Sequence, residues 1–279
     1  MDAASSATPA GPYARGSVSI VGCGWLGLPL ARRLVAEGYD VRGTTTRAER
    51  LPEMEAAGVH AAVARLPLAE WSLTASAKTD DAPTATPDGD GGADGDDDAD
   101  DAVGAGLAAV WQADQLVLTV PPGRDADAPR RYPAAILSAV LAYRRAQPTG
   151  RIVMTSSTGV YGRGHGLALD ADTRPPLDAA PTERQAMLLL AESQVVAQSQ
   201  RPYRVLRLGG LHGPGRDPSR WYRGRPVPRP DDPTNLCHLG TALDAIAAEL
   251  SAPLWTGPSI YNVVDAEHPP RGEVYGGGV

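Results

Sequence analysis

The stretch SVSIVGCGWLGLPLARRLVAEGYDVRGTTTR, residues 17–47, reads as a strand, a glycine turn, a helix and a second strand. In this context a G-x-G-x-x-G pattern predicts a nucleotide-binding turn. Its first glycine permits the tight bend, the second lets a pyrophosphate approach the backbone, and the third lets the helix pack closely on the strand. The simpler alternative is a tight turn that binds nothing. The predicted cofactor contacts here are Gly22, Gly24, Trp25, Leu26 and Gly27.

The end of the second strand indicates which nucleotide binds. An NAD site usually carries Asp or Glu about 20 residues beyond the glycines, where it accepts hydrogen bonds from the ribose hydroxyls. Here Asp40 lies at the start of the strand, and the strand exit carries Thr44, Thr45 and Arg47 instead. Hydroxyls and a guanidinium suit a 2′-phosphate, so we expect NADP rather than NAD. The alternative for Arg47 is a solvent-exposed charge that opens the next helix.

Bulk properties exclude several classes of protein. The 279 residues carry a formal net charge of −7, which argues against non-specific binding to nucleic acid or to an anionic membrane surface. No apolar run approaches the roughly 20 residues of a membrane span, and the N-terminus has no apolar signal core. Cys23 and Cys237 form no disulfide framework or metal pattern. We expect a reduced, cytoplasmic protein with a small-molecule substrate and no metal.

The rest of the chain alternates strands and helices, which predicts an α/β, doubly wound, mostly parallel sheet. Residues 17–279 are expected to form one domain. Two segments are expected to be disordered because they have little to bury: the tail 1–16 and the Asp/Gly-rich insertion 74–104. Further strands are predicted at 59–63, 113–121, 151–156, 203–208 and 259–264, and helices at 47–57, 133–145, 182–199 and within 235–250.

Polar and small residues fall at the predicted strand ends. Ligands of such sheets bind beyond the carboxyl ends of the strands. The glycine turn should therefore share one crevice with three further pairs, which are Val120-Pro121, Ser156-Ser157 and Leu208-Gly209.

Five motifs in this order resemble the extended short-chain dehydrogenase/reductase superfamily, and within it the atypical, epimerase/dehydratase-like bacterial members. They are VGCGWLG (21–27), TSSTGVYG (155–162), RLGGLHGPGR (207–216), NLCHL (235–239) and IYNVVDAEHPPR (260–271). The resemblance implies a Rossmann fold and hydride transfer between a nicotinamide and a carbonyl or carbinol carbon.

The resemblance also implies roles for single residues. Val120 and Pro121 would pass beside the cofactor ribose, and Leu208 and Gly209 would lie beside the nicotinamide. Ser157 matches the catalytic serine, which hydrogen-bonds the substrate oxygen.

Tyr161 matches the tyrosine of the V-Y-G block in the site wall. From the residues alone, Ser156 and Ser157 could instead end a strand with local hydrogen bonds, and Tyr161 could be a core residue. His238 is predicted to start a helix rather than to act as a catalyst.

Departures from the family pattern leave the activity open. The usual Tyr-x-x-x-Lys acid/base pair is absent, because the expected helix reads PTERQAMLLLAESQVV and the only lysine of the chain is Lys78. The proton donor would then be Tyr161, a loop histidine such as His165, or water. The second possibility is a dinucleotide-binding sensor or partner protein without chemistry.

Further features concern the substrate side, which we assign to 163–181, 213–234 and 265–279. This portion is short, as if truncated, and Gly240-Thr241 stands where relatives often carry acids. His212 and His268 are predicted to lie in loops. The helices 133–145 and 182–199 allow a homodimer. An arginine cluster could bind an anionic group or form a solvated loop, and its members are Arg216, Arg220, Arg223 and Arg225.

Overall fold

A seven-stranded, wholly parallel sheet forms the centre of the computed structural model, which describes residues 15–68, 106–162, 182–197, 202–253, 255 and 259–276. Its strands are β1 (Ser17–Val21), β2 (Asp40–Thr45), β3 (His60–Val63), β4 (Gln115–Leu118), β5 (Arg151–Ser157), β6 (Tyr203–Leu208) and β9 (Ile260–Val263). They lie side by side in the order β3-β2-β1-β4-β5-β6-β9. The doubly wound parallel sheet is thus confirmed. The predictions for residues 1–14, 74–104 and 163–181 lie outside the described residues.

Helices cover both faces of this sheet. They are α1 (Gly27–Ala36), α2 (Leu51–Ala56), α3 (Ala128–Ala146), α4 (Glu183–Ala197), α5 (Leu239–Ser251) and α6 (Arg271–Tyr275). Along β4, Leu116 and Leu118 pack into the core under α3 and α4, whereas Val117 packs into the core under α1 and α5. Burial on both faces explains why the strands are continuous apolar runs rather than alternating ones.

One helix begins earlier than the sequence predicts. The predicted helix covers 133–145, but α3 starts at Ala128 and Pro133 lies inside it. Ala128 and Tyr132 are only 2% and 3% exposed, so burial of the added turn stabilises the longer helix.

A second, two-stranded parallel sheet is missing from the sequence prediction. It pairs β7 (Gly210–His212) with β8 (Leu236–His238) just beyond the carboxyl end of β6. Three residues are too few to show a periodic pattern, which is why neither strand was predicted. The placement of His212 in a loop was therefore wrong, whereas His268 does lie in a loop.

Candidate functional site

The glycine turn joins β1 to α1 with the three glycines in different roles. Gly22 has a φ of +100° and donates its N–H to Thr44 Oγ1 at 3.1 Å. A Cβ on Gly27 would overlap the carbonyl oxygen of Gly22 and lie 2.8 Å from Thr119 Oγ1, so helix and strand meet too closely for a side chain. A Cβ on Gly24 would meet one atom within 4 Å among the described residues, the carbonyl oxygen of Gly22 at 4.0 Å. The open space therefore lies where a pyrophosphate is expected.

A cavity of about 340 Å³ adjoins this turn. Val120 and Pro121 line one side of it, and the exit of β2 lines the other with Thr44, Thr45 and Arg47. Its lining includes no Asp or Glu among the described residues. The carboxyl ends of β1, β2 and β4 thus line one cavity. Of the three pairs that the sequence places beside the glycine turn, Val120-Pro121 lines this cavity, whereas Ser156-Ser157 and Leu208-Gly209 do not.

Two further arginines in the lining are already engaged. Arg50, which the sequence analysis missed, donates from Nη1 to the Cys23 carbonyl at 2.8 Å and pairs with Glu53 at 3.1 Å. Arg131 pairs with Asp125 at 2.7 Å. Arg47 is different, because its side chain is 61% exposed and its carboxylate partner, Glu49, is 3.9 Å away. Such an exposed pair is worth little, so Arg47 can turn toward a ligand at small cost.

A larger cavity of about 740 Å³ lies at the opposite edge of the sheet. It contains Asp40, which starts β2 and pairs with Arg42 at 3.0 Å. Because nucleotides bind at the carboxyl ends of parallel strands, we do not regard this cavity as the dinucleotide site. Asp40 therefore does not line the cavity beside the glycine turn, where the ribose of a dinucleotide would bind.

Ser156 and Ser157, at the end of β5, have different hydrogen-bond partners. Ser157 begins the 3₁₀ helix Thr158–Tyr161, and its Oγ accepts the Gly159 N–H at 3.1 Å. This local bond leaves the hydroxyl proton of Ser157 available for a ligand. Ser156 is 9% exposed and donates instead to Glu192 Oε1 at 2.6 Å. Only its backbone remains as a candidate for cofactor contact.

Behind the serines lies a buried polar network that the sequence analysis missed. Arg207, 1% exposed, donates to both carboxylate oxygens of Glu192, at 3.0 and 2.7 Å. Its Nη1 also donates to the Tyr161 hydroxyl at 2.8 Å, and this hydroxyl donates to Asn262 Oδ1 at 2.9 Å. Burial disfavours the Arg207 charge, but the Glu192 carboxylate outweighs it and raises the Arg207 pKa. Tyr161 is therefore held on both sides of its hydroxyl.

The segment after β6 crosses close to β8. A Cβ on Gly209 would lie 2.7 Å from the Asn235 carbonyl oxygen, so backbone packing alone accounts for this glycine. Leu208 is 2% exposed and Leu26 is 7% exposed, and both belong to the core under α1 and α5. A role for these residues beside a nicotinamide stays a prediction.

A histidine–aspartate cluster ties the small sheet to the end of β9. Asp265 accepts from His212 Nε2 at 2.8 Å, from the His238 backbone N–H at 2.9 Å and from Thr241 Oγ1 at 2.8 Å. Burial opposes its ionisation, but these donors together hold the Asp265 pKa below its usual range. A carboxylate thus lies beside Thr241, where the sequence lacks an acid. His238 caps α5, since its Nδ1 accepts the Gly240 N–H at 3.0 Å, which confirms its predicted place at a helix start.

Two features are absent from the described residues. No group of three His, Cys, Asp or Glu side chains is arranged there to hold a metal ion. Nor does any helix in that part of the chain combine the length and apolar character that a bilayer crossing requires.

Comparison with known proteins finds relatives over most of the chain. Protein YeeZ of Escherichia coli K12 is 32% identical over 261 residues, which cover 92% of this chain and 81% of YeeZ. No protein-family model matches.

Solved structures share the fold. MoeE5 in complex with UDP-glucuronic acid and NAD is 18% identical with a TM-score of 0.65, over 93% of this chain and 80% of that one. WbmG of Bordetella bronchiseptica, in complex with NAD and UDP, is also 18% identical, with a TM-score of 0.61 over 93% and 76%.

Proposed function

We propose that this chain, which belongs to the same family as Protein YeeZ and shares the fold of the NAD complexes of MoeE5 and WbmG, is an NADP-dependent oxidoreductase or epimerase-like enzyme of the atypical, epimerase/dehydratase-like extended short-chain dehydrogenase/reductase type. When bound, the nicotinamide would accept or supply a hydride at a carbonyl or carbinol carbon of a small substrate. NAD in the MoeE5 and WbmG complexes supports a nicotinamide dinucleotide.

The observation that carries the proposal is the crevice beside the glycine turn. Gly24 leaves room for a pyrophosphate, and the crevice lining offers Thr45 and Arg47 where an NAD site would have a carboxylate. A guanidinium binds a phosphate through two parallel N–H bonds, which favours the 2′-phosphate of NADP.

Titration with NADPH and NADH, followed by nicotinamide fluorescence, tests the cofactor assignment. We expect NADPH to bind more tightly, and Arg47→Ala to weaken NADPH at least tenfold while it leaves NADH unchanged. Arg32→Ala is the matched control, because Arg32 is similarly exposed and pairs with Glu53 outside the crevice lining. Equal binding of both nucleotides, or no effect of Arg47→Ala, contradicts the NADP assignment.

Ser157 is the proposed catalytic residue. Its free hydroxyl proton would hydrogen-bond the substrate oxygen and stabilise the charge that develops there. Ser157→Ala should lower turnover at least tenfold without a change in NADPH affinity. Ser193→Ala is a control, since this exposed serine bonds only the Leu190 carbonyl of its own helix. Unchanged turnover in Ser157→Ala removes the serine from the mechanism.

A non-catalytic dinucleotide-binding protein is the second candidate. Two observations favour this candidate. The Tyr161 hydroxyl is hydrogen-bonded by both Arg207 and Asn262, and α4 carries neither tyrosine nor lysine. This alternative predicts that NADPH binds but is not consumed with any member of a panel of carbonyl compounds and nucleotide sugars. Substrate-dependent NADPH consumption excludes it.

We also propose that the protein forms a homodimer through α3 and α4. Leu141 on α3 and Leu190 on α4 are 39% and 49% exposed, and they are the large apolar side chains that the described part of the chain exposes. A second copy would cover both.

A further inference from the structure

The cavity of about 740 Å³ lies at the amino ends of β2 and β3, away from the glycine turn. Asp40, the first residue of β2, and His60, the first residue of β3, both line it. Its volume falls within the range of about 300–1,000 Å³ that small-molecule pockets span. The chemistry proposed at the carboxyl ends of the strands makes no use of this cavity.

One carboxylate oxygen in the cavity lining has no hydrogen bond. Oδ2 of Asp40 accepts from Arg42 Nη2 at 3.0 Å. Oδ1 is buried, and no described residue donates a hydrogen bond to it. His60 Nε2 lies 3.3 Å from Oδ1 but forms no hydrogen bond with it. Because a buried acceptor without a donor is costly, Oδ1 indicates a place for the donor of a ligand.

The charges around Oδ1 favour a cation. Both terminal nitrogens of Arg42 are engaged, since Nη1 donates to the Ala109 carbonyl at 2.8 Å and Nη2 donates to Asp40. This pairing fixes the Asp40 side chain, which is 15% exposed. Glu55, an exposed residue of α2, adds a second carboxylate to the lining. With His60 uncharged, two carboxylates and one guanidinium leave the cavity with a net negative charge.

The remaining lining suits a hydrocarbon group. Val59 and Val110 are 2% and 1% exposed, and the small residues Ala61 and Ala109 also line the cavity. Apolar walls with a few polar groups that fix orientation are typical of small-molecule sites. A ligand that fits this cavity therefore combines an apolar body with one positive group.

We propose that this cavity binds a small organic cation, a primary ammonium on an apolar body, through Asp40 Oδ1. An ammonium has three donors and no acceptor, and its bond to a carboxylate is charge-assisted. The His60 side chain is 65% exposed, so it can turn away from Oδ1 at little cost when the ammonium enters. Because the cavity and the glycine turn lie at opposite ends of the strands, this site is independent of the proposed cofactor.

Calorimetric titration with phenethylammonium chloride tests the site, with 2-phenylethanol and 3-phenylpropionate as neutral and anionic probes of similar shape. We expect the ammonium to bind at least tenfold more tightly than either of them. Asp40→Asn keeps the shape of the side chain and removes its charge, so it should weaken the ammonium at least tenfold. Glu55→Gln should weaken it about threefold, because Glu55 is exposed. Glu53→Gln is the matched control on the same helix, outside the cavity lining, and should leave the affinity within twofold.

Melting curves and NADPH titration of each variant separate a local loss from unfolding. Wild-type NADPH affinity in Asp40→Asn, together with lost ammonium binding, supports the site. If Asp40→Asn does not fold, the comparison of Glu55→Gln with Glu53→Gln and the three probes on wild-type protein decide.

Three outcomes overturn the proposal whether or not NADPH binds. They are the absence of ammonium binding to wild-type protein, equal binding of 2-phenylethanol, and equal losses in Glu55→Gln and Glu53→Gln. Tighter binding of 3-phenylpropionate also overturns it, because Arg42 rather than Asp40 would then select the charge of the ligand.

Discussion

Alanine at Gly24 and at Gly27 should separate ligand binding from folding in the same turn. A Cβ at Gly27 overlaps the Gly22 carbonyl oxygen and crowds Thr119 Oγ1, and both lie in well-packed surroundings. Overpacking of this kind costs about 1–3 kcal/mol. For a domain of this size, each kcal/mol lowers Tm by about 2–4 °C. Gly27→Ala should therefore melt measurably earlier than wild type.

Gly24→Ala should instead weaken NADPH binding and leave the stability of the fold unchanged. Gly24 does not have a positive φ, and the nearest atom to an added Cβ is 4.0 Å away, so the free energy of unfolding should stay within about 0.5 kcal/mol of wild type. The added methyl group would occupy the space where the pyrophosphate is expected. The Kd for NADPH should therefore rise at least tenfold, which is a loss of about 1.4 kcal/mol in binding free energy. Differential scanning calorimetry and fluorescence titration of both variants give the comparison. Wild-type NADPH affinity in Gly24→Ala would refute this account of the turn.

Three further predictions concern the core, a thiol and the helix surface. Glu192→Leu should lower the free energy of unfolding in urea by about 3–5 kcal/mol, because it removes the carboxylate that offsets the buried Arg207 charge. The double variant with Arg207→Leu should lose less than the single one, and a larger loss argues against the pair. Burial raises the pKa of Cys23 to about 12, so native protein at pH 8 should resist iodoacetamide at this residue until it unfolds, as peptide mapping would show. Leu190→Asp should convert a dimer to a monomer in sedimentation velocity and remove any dependence of Tm on protein concentration. A monomeric wild type contradicts the proposed interface.

The main sheet was predictable because its signals are local. Apolar runs such as 115–118 are bounded by breakers, and the glycine turn marks where strand becomes helix. The limits of α3 were not predictable, since Pro133 gives the signal of a helix start inside a longer helix.

The buried network behind Ser157 was harder to foresee. Glu192 and Arg207 are 15 residues apart, and Tyr161 is another 31 residues before Glu192, so only the fold brings them together. A signal did exist, because each charge lies within a short apolar run, MLLLAES in one case and VLRL in the other. A charge within such a run usually has a partner when the run is buried. The sequence does not reveal which residue that partner is.

Asp265 also limits when one part of this structure can be completed during synthesis. Its hydrogen bonds to His212, His238 and Thr241 close loops of 53, 27 and 24 residues. Each closure costs entropy that the contact must offset. Because residue 265 is made after β7 and β8, neither strand gains these hydrogen bonds until it has been synthesised, whereas the whole β1–α1–β2 unit lies within residues 17–45.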